Sequence, residues 1–87
     1  MAEIMIPNQF KQYSSLNSIF VTDSNTVCNA LKDLTSTHPL LKYNIFDSEY
    51  NVKGFVNIFV DDEMVEDLSM PIDSSSCIKI ILAVAGG

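Results

Sequence analysis

The sequence contains no arginine. All five basic residues are lysines, set against eleven acidic ones, and the formal net charge is −6. Nucleic-acid backbones are held by clustered lysine and arginine, so no nucleic-acid partner is expected. Only two cysteines are present, Cys28 and Cys77. Two thiols do not make a disulfide scaffold. With one histidine and no CxxC pair, they make no metal site either. Both are expected inside, as small hydrophobes. Long apolar runs are missing too. The longest, Ile80 to Ala85, falls far short of the ~20 residues that span a bilayer. No membrane role is expected. The N-terminus carries Glu3 and no basic stretch, so no targeting peptide is expected and the expected compartment is cytoplasmic.

What is present is a chain of 87 residues with 47% apolar content. That is one globular domain, too apolar to be disordered. Six of the eleven acids fall between Asp61 and Asp73, which makes one end of the molecule negative. Such an end keeps a protein soluble or steers it toward a basic partner surface.

The pattern along the chain alternates short strands with one clear helix. Ala2 to Ile6 reads as a strand stopped by Pro7, and Leu16 to Val21 as a second strand. Asp23, Ser24 and Asn25 are all good N-cap residues. Val27, Ala30, Leu31 and Leu34 then recur at i, i+3, i+4 and i+7, which predicts a helix over 25–36. His38 before Pro39 closes it. Residues 40–54 have no clean period, and 47–51 read as a loop. Phe55 to Val60 alternates as a strand, Asp61-Asp62 suits a tight turn, and Glu63 to Glu66 can return beside it. Leu68, Met70 and Ile72 alternate and are expected to close onto the core. After a turn at 73–76 comes the most apolar segment, Cys77 to Ala85. Ile78, Ile80, Leu82 and Val84 point one way, and Cys77, Lys79, Ile81 and Ala83 the other. This strand is expected at the centre of the sheet, where two neighbours bury it. Five strands and one helix predict an α+β fold with the helix covering one sheet face.

That central strand runs straight into Val84-Ala85-Gly86-Gly87. At about 7% glycine usage, a terminal pair arises by chance in about 0.5% of chains. The plain reading is a frayed end. A tail anchored at its base and bare of Cβ atoms at its tip is also a probe able to enter a narrow channel. Its reactive group is the Gly87 carboxylate, ionised at neutral pH. A carboxylate attacks the α-phosphate of ATP to give an acyl-adenylate, which then accepts sulfur. No catalytic side chain on this protein is required.

The strand and helix order, the segment Phe55-Val56-Asn57-Ile58-Phe59-Val60-Asp61-Asp62-Glu63 and the ending Leu82-Ala83-Val84-Ala85-Gly86-Gly87 resemble the ubiquitin-like sulfur carriers. The likeness is strongest over 55–87. Where that family often has a glycine-containing turn, this chain has Asp73-Ser74-Ser75-Ser76. Where it often has proline before the tail, this chain has Leu82-Ala83. The resemblance implies a β-grasp fold over 1–87 with one main helix and a flexible diglycine tail. It implies that Gly87 is adenylated by an E1-like enzyme and becomes a thiocarboxylate. Val84, Ala85 and Gly86 present it, and a sulfur-acceptor enzyme consumes it in making cysteine, molybdopterin, a thiazole or a secondary metabolite. The chain is then a protein co-substrate, or the small subunit of a sulfurtransferase complex. It binds no cofactor itself; ATP and magnesium belong to the activating partner.

Alternation suggests where partners dock. Lys79 should be solvated, so Ile81 and Ala83 on its face are expected exposed. Asn57 argues the same for Phe59, and Met64 follows the acidic turn. The opposing expectation is that 40–54 covers this face as a second small core. Two other functions stay open: a protein modifier conjugated through Gly87, and a non-catalytic binding or regulatory subunit. A stand-alone enzyme fits poorly. Cys28 and His38 would lie about 15 Å apart along one helix.

Overall fold

The computed structural model describes residues 1–13 and 18–83. Five strands form one mixed sheet: β1 (Ala2–Met5), β2 (Ile19–Thr22), β3 (Val56–Val60), β4 (Glu63–Val65) and β5 (Cys77–Leu82). Their order across the sheet is β2-β1-β5-β3-β4. β5 is central, as its apolarity required, and is the strand around which the sheet is built. It pairs parallel with β1 and antiparallel with β3. The outer pairs β1–β2 and β3–β4 are both antiparallel. A long helix, α1 (Val27–Thr37), and a short one, α2 (Lys42–Ile45), complete the fold.

Alternation sets the sheet's two faces. Ile4, Val56, Ile58, Val60, Ile78 and Ile80 turn inward and are buried, while Glu3, Met5, Asn57, Lys79 and Ile81 turn outward. The helical stripe Val27, Ala30, Leu31 and Leu34 is fully buried in the same core. Residues 40–54, which lack a period, do not cover the outer face. A 3₁₀ turn at Pro39–Leu41 and α2 send Leu41, Ile45 and Phe46 into the main core. Each piece is too short for a period to show.

Four expectations need correction. The helix is capped by Thr26, whose hydroxyl accepts from the Asn29 N–H at 3.2 Å, and by none of Asp23, Ser24 or Asn25. Backbone from 68–72 fixes this start: the N–H groups of Val27 and Cys28 donate to the carbonyls of Met70 and Leu68. Those carbonyls satisfy donors that a helix N-terminus otherwise leaves unpaired. The same crossing explains the second correction. Of Leu68, Met70 and Ile72, all expected to close onto the core, Ile72 is in it and Leu68 packs against it, but Met70 is exposed. Third, the second strand begins at Ile19 and runs on to Thr22 instead of ending at Val21; Ile19 and Val21 face outward, and Thr22 is buried, its hydroxyl donating to Asp33 on α1 at 2.8 Å. Leu16, also placed in that strand by sequence, lies outside the described residues. Fourth, both cysteines are half-exposed free thiols.

The turns follow their chemistry. Asp61 and Asp62 take left-handed backbone angles, φ 49° and 73°, and close a two-residue hairpin between β3 and β4. The Asp73 carboxylate accepts from the Ser75 hydroxyl and N–H, which holds its pKa below the ordinary carboxylate range.

Candidate functional site

The site predicted from sequence is the chain's end, and it is built on β5. The ladder between β3 and β5 continues to Leu82, opposite Val56. One residue further, the Ala83 N–H donates to the Phe55 carbonyl at 2.8 Å. The base of the tail is therefore pinned to the sheet through Ala83. Val84, Ala85, Gly86 and Gly87 lie outside the described residues.

The four residues expected to dock partners all belong to the outer face. Met64 and Ile81 are 56% and 47% exposed, Ala83 is exposed and Phe59 is half-buried. The register brings Phe59 opposite Met64 on one side and Lys79 on the other. Ile81 sits opposite Asn57, one step nearer the tail. Ile81 thus continues the patch rather than touching Met64. Lys79 lies in the middle, and its Nζ reaches Asp62 at 2.6 Å. That carboxylate raises the Lys79 pKa and keeps the ammonium charged. The lysine's alkyl stem crosses the face while its charge goes to the rim.

Sequence reasoning missed part of this surface. Met5, Ile19 and Val21 are 41%, 43% and 49% exposed and extend the outer face across β1 and β2. Met5 was findable, because it shares a face with the solvated Glu3. Phe55, 46% exposed, stands beside the base of the tail and was assigned only to a strand.

β5 also orders the charges. It starts at the acidic turns, where the Cys77 N–H donates to the Asp61 carboxylate, and ends at the tail. Five residue steps of about 3.3 Å put some 17 Å between the two ends. Leu82, at the far end of β5, thus lies well away from Asp61 and Asp62.

The opposite face offers a groove of about 680 Å³ beneath β4, with Cys28, Val56, Ile58, Val65 and Leu68 in its lining. His38 is the C-cap of α1, nearly the full helix away from Cys28, so no thiol–imidazole pair forms. Among the described residues, no cluster of histidine, cysteine or acidic groups is arranged to hold a metal. No helix among them is long and apolar enough to cross a membrane.

No protein-family model and no curated protein matches the chain. Solved structures do. A chain of the BexX/CysO complex of Amycolatopsis orientalis superposes with a TM-score of 0.88 and 24% identity, covering 100% of both chains. CysO of Mycobacterium tuberculosis gives 0.84 and 22%, covering 97% of this chain and 100% of that one. SAMP1 of Haloferax volcanii gives 0.83 and 19%, covering 99% and 98%. The architecture shared end to end is the β-grasp, or ubiquitin-like, fold.

Proposed function

We propose that this chain is a sulfur carrier of the ubiquitin-like type, acting as a protein co-substrate through Gly87. The observation that carries the reading is the junction of β5 and the tail. A central strand, bonded on both sides and pinned through Ala83, leads into Val84-Ala85-Gly86-Gly87. The end-to-end likeness to CysO supports it.

In this reading an E1-like enzyme seats the outer face on Phe59, Met64, Ile81 and Ala83 and draws the tail into its channel. A Gly87 carboxylate oxygen attacks the α-phosphorus of ATP, and magnesium pyrophosphate leaves. A sulfur nucleophile then attacks the acyl carbon and AMP leaves. The thiocarboxylate sulfur attacks an electrophilic carbon of the acceptor enzyme's substrate to give a thioester, and water then attacks the acyl carbon, releasing the sulfur on the product as a thiol and restoring the Gly87 carboxylate. The carrier supplies reach, rigidity at the tail's base and a docking face; the partners supply the catalytic groups. A second reading, conjugation of the activated Gly87 to a target lysine, is favoured by the likeness to small archaeal modifier protein 1.

Both readings begin with the adenylate. Removing Gly87 should abolish ATP–pyrophosphate exchange by the activating enzyme while the circular dichroism spectrum stays unchanged. Exchange that persists without Gly87 refutes both.

A further inference from the structure

Among the described residues, β2 and β4 are the unpaired edges of the sheet, and they are guarded very differently. β4 (Glu63-Met64-Val65) is surrounded by Asp61, Asp62, Glu66 and Asp67. Charge of this kind blunts an edge against further pairing. β2 (Ile19-Phe20-Val21-Thr22) has neither a charged residue nor a proline.

The backbone of β2 is also in the right phase to pair again. In the β1–β2 ladder the Ile6 N–H donates to the Ser18 carbonyl at 2.8 Å. Antiparallel ladders alternate, so Ser18, Phe20 and Thr22 direct their backbone groups to β1. The other side of β1 agrees: the Glu3 N–H donates to the Ser76 carbonyl, so Glu3 and Met5 bond toward β5. Their partners on β2, Val21 and Ile19, therefore turn their N–H and C=O groups to the open edge. Both side chains lie on the outer face, nearly half exposed.

This edge is self-complementary. With a second copy antiparallel about a two-fold axis at Phe20, each Ile19 faces Val21 of the second copy. Each such pair exchanges two backbone hydrogen bonds, four in all. The half-buried Phe20 side chains meet across the axis on the inner face. An isologous contact of this kind closes as a dimer. Charge favours it over the alternative. Each copy carries −6, with six acids concentrated between Asp61 and Asp73. Pairing through β2 puts the two β4 edges at opposite ends of a ten-stranded sheet, whereas pairing through β4 would press their acids together.

We infer that β2 is a homodimerisation edge and that its partner is a second copy of this chain. The contact uses one short strand per copy, so the dimer is weak, with Kd on the order of 100 µM. It leaves Phe59, Met64 and Ile81 of both copies free.

The test is sedimentation velocity of the full chain from about 10 µM to about 1 mM, with amide hydrogen exchange at both ends of that range. The expected result is a concentration-dependent dimer in which the Ile19 and Val21 amides gain protection. Val21→Lys, an exposed substitution, should weaken it about tenfold or more while the far-ultraviolet spectrum stays unchanged. A monomer throughout overturns the inference. So does a dimer that Val21→Lys leaves intact, or protection that arises on β4 or around Ile81 in place of β2.

Discussion

At Ile81 an isoleucine spends nearly half its surface in water, on a strand whose inward neighbours Ile78 and Ile80 are fully buried. Nothing in the packing of this core requires a β-branched apolar side chain there. The same holds for Met64, whose partner Phe59 is half-covered by the strands on either side. Apolar side chains gathered on an outer face, rimmed by the Lys79–Asp62 ion pair, have the make-up of an interface centre. Ile81→Asp should therefore raise the concentration of this protein needed for half-maximal activation about tenfold. The fold should be unaffected, since the side chain leaves no core cavity. Activation kinetics with a competent E1-like enzyme check this, and an unchanged half-saturation value would remove Ile81 from the docking face.

At the scale of elements, α1 depends on what caps it. Thr26 supplies one acceptor, and Leu68 and Met70 supply two more from a distant segment. Thr26→Ala should cost about 1 kcal/mol, read as a lower midpoint in urea. A loss near zero would mean that the 68–72 backbone anchors the helix start by itself.

The same element shows what the sequence could reveal. The stripe Val27, Ala30, Leu31 and Leu34 was legible because one helix face is buried along its whole length. The alternation of β3 and β5 was legible for the matching reason, and it put Phe59, Ile81 and Ala83 on the outer face, where the structure has them. The cap was not legible. Four consecutive polar residues could each have served, and carbonyls more than forty positions away made the choice. The outward turn of Ile19 and Val21 was hidden because alternation gives a strand two faces without saying which is wet. The buried Thr22 hydroxyl, satisfied by Asp33, could not be foreseen from its neighbours.

At the scale of the whole molecule, the fold sorts its parts along β5. Acidic turns gather at its beginning, the tail leaves its end, and the apolar outer face lies between. In the proposed reading the chain is a carrier that is handled by others. A basic partner surface meeting the acidic end would, in that reading, fix the direction in which β5 points toward the partner.

The measurement that tests this most directly is the intact mass of the untagged protein. It is taken after incubation with a competent E1-like enzyme, ATP and a sulfide source, followed by a thiocarboxylate-reactive label. The account predicts one terminal oxygen replaced by sulfur and the label mapped to Gly87. An unchanged mass, with the same enzyme active on another carrier, would contradict it.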